Sequence, residues 1–330
     1  MALILSRIDV QRCLTMPDAI MIMRSAFNAL HHGWAEMPPR LSVDLSEQGV
    51  ALLMPSLLQT HEQHAFGLKI ITVMPHNSSR QLPLSYASVL LLDSTTGRTL
   101  AILDGAWLTT VRTGAVSGLA TDLLAHRNAS ILALFGAGAQ APAQVLAIHT
   151  VRPLQEVRVV NRNEEHYQSL VTTLQTLLGA ACPPIHRARS ASDALAAASL
   201  VACATTSTTP LFQWHDIVPG THINAIGAFT PAMCEIDAET VAHARIVVDQ
   251  RAAALAEAGD LLQPLASGQI ADPETWIELG ELVAGTKPGR QNEAEVTLFK
   301  SVGIGVQDVA MALHVYNRAR ELHVGIDVEL

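Results

Sequence analysis

The chain reads as an α/β protein, a doubly wound parallel sheet joined to a β-rich first domain. Three observations predict this. An apolar run, Ile131 to Phe135, breaks into Gly136-Ala137-Gly138-Ala139-Gln140-Ala141, and a helix-compatible segment, Pro142 to His149, follows at once. Short apolar runs and helical stretches then alternate as far as Leu265, the pattern of βαβ units. The first third instead strings together several β runs before that alternation starts.

In chain order, Pro17 to Leu30 has Ile20, Met23, Phe27 and Leu30 at helical spacing, with Pro17 and Asp18 suited to a first turn. Gly33 ends that pattern. An extended segment is expected from Pro38 to Val43, and strands at Val50–Pro55, Leu68–Val73 and Ser88–Asp93. Lys69 lies inside the second of these strands. An ammonium there is costly to bury alone, so it either sits at a strand end, points outward from an edge, or faces a polar cavity. In a cavity, desolvation would lower its pKa and make it a proton donor and acceptor near neutrality. Only Lys69, Lys287 and Lys300 are lysines, so a lysine in an apolar strand is not one of many. From Thr109 or Thr110 a helix rich in small residues is expected, with Arg112 near its start as an anion clamp or a surface salt bridge.

The Gly-x-Gly-x-x-Ala run after a strand suits a dinucleotide. Gly136 permits the turn, Gly138 lets backbone amides approach a pyrophosphate, and Ala141 lets the helix pack closely. The next strand, Val157 to Val160, ends in Asn161-Arg162, about 20 to 25 residues on, where the ribose is read. A guanidinium there suits a 2′-phosphate and favours NADP(H), with NAD(H) use still open. The alternative has Arg162 as a solvated charge and Glu164 or Glu165 on the ribose. Further on, a helix is expected over Asp193–Ala198, strands over Leu200–Ala204, His222–Gly227 and Arg245–Asp249, and one helix over Ala252–Leu265. The hydroxyls of Thr205, Thr206 and Ser207 follow a strand's carboxyl end, where such sheets bind ligands, although Thr/Ser loops are often plain turns. Gly303 and Gly305 suggest a tight turn leading back to the first domain, before a helix from Val309 to Arg320.

Composition narrows the function. The 330 residues are 49% hydrophobic and 15% charged, as in a compact two-domain protein, and the net charge of −9 comes with no basic block, which argues against nucleic acid. No run approaches the roughly 18 apolar residues of a membrane span, and no signal peptide is expected. Four widely separated cysteines form no metal-type pair, which points to a reduced, cytoplasmic protein without structural metal. No serine nucleophile elbow or histidine metal motif is present.

With Gly67-Leu68-Lys69, Leu103-Asp104-Gly105, Leu108-Thr109, Arg112-Thr113-Gly114-Ala115 and the glycine turn in place, the chain resembles the ornithine cyclodeaminase/mu-crystallin family. The resemblance runs from Leu5-Ser6-Arg7 to Phe299-Lys300-Ser301-Val302-Gly303. It implies a homodimer with a Rossmann-type NAD(P) domain, residues 116–303, and a β-rich substrate and dimerisation domain from both chain ends, residues 1–115 and 304–330. It also implies a substrate pocket lined by Arg40, Lys69, Arg112 and Phe229, with Lys69 catalytic. The cofactor residues it suggests are Arg112, Thr113, Gly136, Gly138, Ala139, Gln140, Asn161, Arg162, Thr205, Thr206, Ser207, Gly227 and Ser301.

The family hosts several reactions. Its cyclodeaminase carries an Asp where this chain has Phe229 in Ala228-Phe229-Thr230-Pro231, which puts ornithine cyclisation in doubt. The Gly-Ala-Phe-Thr-Pro loop is similar to that of the family's cyclic ketimine reductases. The expected reaction is NAD(P)H-dependent reduction of Δ1-pyrroline-2-carboxylate or Δ1-piperideine-2-carboxylate. Rival readings are alanine dehydrogenase, ornithine cyclodeaminase, and an NADPH-holding, mu-crystallin-like protein without turnover.

Overall fold

The structure, a computed structural model, describes residues 1–61, 64–270 and 272–329. The chain lays down β1 (Ala2–Leu5), β2 (Ala35–Glu36), β3 (Leu41–Asp44), β4 (Val50–Gln59), β5 (His64–Val73), β6 (Ser85–Leu92) and β7 (Thr99–Asp104). There follow β8 (Ile131–Phe135), β9 (Glu156–Val160), β10 (Ile185–Arg187), β11 (Leu200–Cys203), β12 (His222–Ala225), β13 (Arg245–Val248), β14 (Ile277–Glu278) and β15 (Thr297–Lys300). The Gly305–Leu322 helix and β16 (Ile326–Val328) close the chain. The chain divides into two compact units, residues 1–112 with 304–330, and residues 113–303. Among the described residues, no helix is long and apolar enough to cross a membrane.

The first unit is one mixed sheet in the order β16-β1-β7-β6-β5-β4-β2, with β3 on β4. Its pairs are antiparallel except β1 with β7. Alternate residues of β4 and β5 point to one buried face, among them Met54, Ser56, Leu58, Ala65 and Lys69. The Gly305–Leu322 helix packs on β4, β5 and β6 and against the Met16–His31 helix, whose buried Met23 and Phe27 lie on its apolar stripe. Contact with β5 is close because Gly67 has no side chain. A Cβ there would stand 2.6 Å from Val309 Cγ2 and 3.2 Å from Leu90 O.

The second unit is one parallel sheet in the order β10-β9-β8-β11-β12-β15-β13-β14. Both faces are covered, so its strands are apolar at successive positions. Leu132, Leu134, Val157 and Val159 join one core with Val145 and Leu170 of the helices on that side. Ala133, Phe135, Val201 and Ile223 join the opposite core with Val241, Leu261 and Trp276. Each fully buried aliphatic side chain contributes roughly 1.5–3 kcal/mol.

Three expectations need correction. The helix expected over Asp193–Ala198 runs over Ala191–Leu195, because the Ser190 hydroxyl caps it two residues earlier and Ala197 takes φ 58°. The helix placed from Thr109 or Thr110 begins at Gly105 and runs to Leu124, because the Asp104 carboxylate accepts from Trp107 N (2.9 Å) and starts the first turn earlier. Arg112 therefore lies well inside it. The helix expected over Ala252–Leu265 is two, Arg251–Glu257 and Gly259–Ala266. Ala258 leaves helical geometry at ψ 86°, and its carbonyl accepts from Leu261 and Leu262 to open the second helix.

Gly67→Ala is expected to lower stability by about 1–3 kcal/mol through overpacking against a β-branched side chain with little rotamer freedom. Thermal melts check this: Gly67→Ala/Val309→Ala should recover much of the loss, and no recovery would place the strain elsewhere.

Candidate active site

In the first unit, β5 is an interior strand and directs Lys69 to the buried face, paired in register with Met54 and Val89. Its side chain is 1% exposed, and Nζ lies 2.7 Å from Asp308 Oδ2, itself 1% exposed. Asp308 stands in the first turn of the Gly305–Leu322 helix, where a carboxylate complements the helix dipole. Its Oδ1 is 3.3 Å from Arg112 Nε, and Arg112 Nη1 donates to Gln307 Oε1 at 2.8 Å. Arg112 thus lies inside its helix and is not a surface ion pair. It is buried and fixed by two neighbours on another helix. Gln307 Nε2 is buried and, among the described residues, donates to no protein acceptor.

Burial pushes the Lys69 ammonium down to about 7; Arg112 and Arg40 push the same way, and Asp308 pulls against them. Arg40 is half-buried and close enough to act on Lys69. Lys69 and Arg112 thus both meet the Asp308 carboxylate, with Arg40 near enough to act on Lys69, a setting suited to an anionic ligand. Chemically, the cluster can hold a carboxylate and deliver a proton near neutral pH.

In the second unit, register explains why distant segments meet. Phe135 pairs with Val160 and Cys203, Cys203 with Ala225, and Ala225 with Lys300. These five residues make one row at the carboxyl ends of parallel strands, so Gly136, Asn161, Thr205, Gly227 and Ser301 emerge along one sheet edge, where α/β sheets bind ligands. Gly136 has φ +95°, and a Cβ on it would stand 2.6 Å from Ala204 O. At Gly138 nothing lies within 4 Å of an added Cβ. The protein's own packing does not require that glycine, and its backbone is open to close approach by a ligand. Ala139 is exposed beside it, and Gln140 Oε1 is buried without a partner among the described residues. Thr113 O accepts from Gln144 Nε2 at 3.2 Å, tying this turn's helix to the Gly105–Leu124 helix.

At the end of β9, Asn161 Nδ2 donates to Asn163 O (2.6 Å), and Arg162 is exposed. Arg187 donates to the carbonyls of Asn161 (3.1 Å) and Arg162 (3.4 Å) and pairs with Glu164, whose carboxylate also accepts from Gln168. Glu164 is therefore committed to its own neighbours. Beyond β11, Thr205 donates to Glu235, Ser207 Oγ donates to Thr209 O, and Thr206 is exposed. Beyond β12, the Gly227 amide also donates to Glu235, and Phe229 is half-buried. Ser301 Oγ donates to Asp249 Oδ2 at 2.9 Å, so its proton is already used within the protein.

Asp308, Gln307 and Glu235 were not singled out from sequence. The available signal was physical: a lysine buried in a strand requires a counter-charge.

Fold and edge define a Rossmann-type α/β protein with a separate β-rich unit that buries a cationic cluster. The chain belongs to the ornithine cyclodeaminase/mu-crystallin family, which it matches over residues 1–323. A Δ1-pyrroline-2-carboxylate reductase of Bacillus cereus is 39% identical over 285 residues, 86% of each chain. The solved Thermococcus litoralis Δ1-pyrroline-2-carboxylate reductase, in complex with NADH and L-proline, superposes with TM-score 0.94 at 36% identity, covering 99% of this chain and 100% of that one. An archaeal alanine dehydrogenase dimer with bound NAD gives TM-score 0.91 at 32% identity over 99% of both.

If Lys69 donates a proton, kcat/KM for reduction falls as pH rises through about 7, because the ammonium is the active form and is lost there. Asp308→Asn removes the anion that holds the proton on, so the falling limb moves to lower pH. A pH profile with the limb unmoved in Asp308→Asn, or still present in Lys69→Met, contradicts this assignment.

Proposed function

We propose that the chain is an NAD(P)H-dependent reductase of cyclic ketimine acids, converting Δ1-pyrroline-2-carboxylate or Δ1-piperideine-2-carboxylate to L-proline or L-pipecolate. The observation that carries this reading is the Lys69 cluster, a buried ammonium 2.7 Å from the Asp308 carboxylate that Arg112 also meets, at 3.3 Å. Such a setting suits an anionic substrate that must gain a proton as it is reduced. The names of the Bacillus and Thermococcus relatives support a ring-containing acid.

Arg40 and Arg112 hold the substrate carboxylate, and Arg112 meets it already oriented by Asp308 and Gln307. Lys69 protonates the ring nitrogen, and Asp308 keeps that proton on Lys69 until the imine takes it. When bound, the reduced nicotinamide supplies the hydride that adds to the C=N carbon. Phe229 stands where the family's cyclodeaminase carries an Asp, so that position offers no carboxylate for a second amino group, which disfavours ornithine cyclisation.

NADPH is the preferred cofactor. Arg162 stands exposed beyond β9 for a 2′-phosphate, and Glu164 is held by Arg187 and Gln168 instead of awaiting a ribose hydroxyl. Four free thiols, three of them buried, support work in the reducing cytoplasm.

A homodimer accounts for the outer face of the first sheet. Leu41, Leu53 and Ile70 share one cross-strand row, and Val43, Ala51, Thr72 and Tyr86 share another. Leu41, Val43, Ile70 and Tyr86 are exposed. A contiguous apolar sheet face of this kind marks a protein interface. Ile70→Glu should convert the dimer to monomer in light scattering; an unchanged mass would place the interface elsewhere.

NADPH oxidation with Δ1-pyrroline-2-carboxylate tests the activity, with NADH and with pyruvate plus ammonia as controls. Rapid oxidation with the imine alone is expected, and Arg162→Asp should raise KM for NADPH about 10- to 100-fold with little change for NADH. Turnover only with pyruvate and ammonia would identify an alanine dehydrogenase. Ammonia release from ornithine would identify a lyase, and silence throughout would leave a binding protein.

A further inference from the structure

The second unit buries another charged cluster, which the scheme above does not use. Lys300, the last residue of β15, has Nζ 2.8 Å from Asp260 Oδ2, and both side chains are 0% exposed. Asp260 Oδ1 accepts from the amides of Glu235 (2.6 Å) and Ile236 (3.0 Å). The Glu235 side chain is buried in turn. Its Oε1 accepts from Thr205 N (2.7 Å) and Thr205 Oγ1 (2.8 Å), and its Oε2 from Gly227 N (2.8 Å) and Ala228 N (3.1 Å). Two donors at each oxygen match the acceptor capacity of an ionised carboxylate.

The cluster is not a thiol site. Burial pushes the Cys203 and Cys234 thiols up, helped by Glu235 and Asp260 at Cys203 and by Asp260 at Cys234, which keeps them protonated and unreactive. Neither does Glu235 stitch strands together, since β11 and β12 already pair along their length. It clamps what comes after them, the two segments leaving the carboxyl ends of adjacent strands. At Gly227 an added Cβ would run into Thr205 and Glu235, so the clamp leaves no slack. A buried charge is an expensive way to gain stability, and apolar replacements often do as well. Four donors converging on one anion give directional constraint, which an apolar contact does not.

We propose that Glu235, held in place by Asp260 and Lys300, is a positioning residue for the reduction, fixing the Thr205–Ser207 and Gly227–Phe229 segments. Of the glycine turn that follows β8, Gly136 packs on Ala204 and Thr205, while at Gly138 nothing lies within 4 Å of an added Cβ, so the clamp bears most directly on the Thr205–Ser207 and Gly227–Phe229 segments. This rests on the reductase reading above.

The test uses full-length protein. NADPH affinity is measured by fluorescence titration without substrate, and kcat by imine reduction. Glu235→Gln keeps the length but turns an acceptor into an NH2 group facing donors. Its kcat should fall about 100-fold, as expected for sub-ångström misplacement of reacting groups, while the NADPH Kd stays within about threefold. The pair Thr205→Ser and Thr205→Val isolates one donor with little risk to folding: kcat in Val should fall about tenfold below that in Ser, with NADPH Kd alike in the two. Wild-type-like kcat in Glu235→Gln, or loss of kcat and NADPH affinity by the same factor, overturns the proposal. If Glu235→Gln does not fold, equal kcat in the two Thr205 variants overturns it, and loss in Val alone supports it. A wild type inert toward cyclic imines would instead defeat the reductase reading, a result visible before any variant is made.

Discussion

The ion pair between Lys69 and Asp308 is the constraint around which the first unit is arranged. An ammonium in the interior of a sheet costs several kcal/mol unless a counter-charge is held against it. The fold supplies one by bringing the first turn of the C-terminal helix onto β5. Gly67 makes that approach possible, and Arg112 and Gln307 brace the carboxylate and the helix start. The pair does not neutralise the site. Burial, with Arg112 and Arg40 pushing the same way, outweighs Asp308 and brings Lys69 to about 7. One arrangement therefore provides a binding charge and a labile proton.

The second unit solves a different problem with similar means. A parallel sheet delivers strand ends to one edge in register, but the segments beyond them have no ladder to hold them. Glu235 provides four acceptor positions for two of these segments, and Asp260 and Lys300 provide its counterpart below. Asp260 reaches Glu235 because the chain breaks at Ala258 and starts a new helix at Gly259. A single continuous helix would lack that first turn.

Much of this was legible in the sequence. The glycine turn, the strand ahead of it and the alternation after it are local signals, set by period and turn chemistry. Lys69 stood out because lysine is rare in this chain and its neighbours are apolar. What stayed hidden depends on distant pairing. Arg112 and Gln307 are 195 residues apart, and nothing near either one announces the other. The start of the Gly105–Leu124 helix was missed because one capping carboxylate, Asp104, outweighs the weak helical propensity of the glycine that follows. The bond from the Ser301 hydroxyl to Asp249 is likewise visible only in three dimensions.

The measurement that tests the account most directly is the titration of Lys69 itself. With Lys69, Lys287 and Lys300 as the only lysines, lysine-labelled protein gives three side-chain resonances, and Lys69→Met assigns one of them. That resonance should titrate with a midpoint near 7, moving lower in Asp308→Asn and higher when L-proline places a carboxylate beside it. A midpoint at the ordinary lysine value of about 10.4 would contradict the claim that burial has made Lys69 a proton donor for neutral pH.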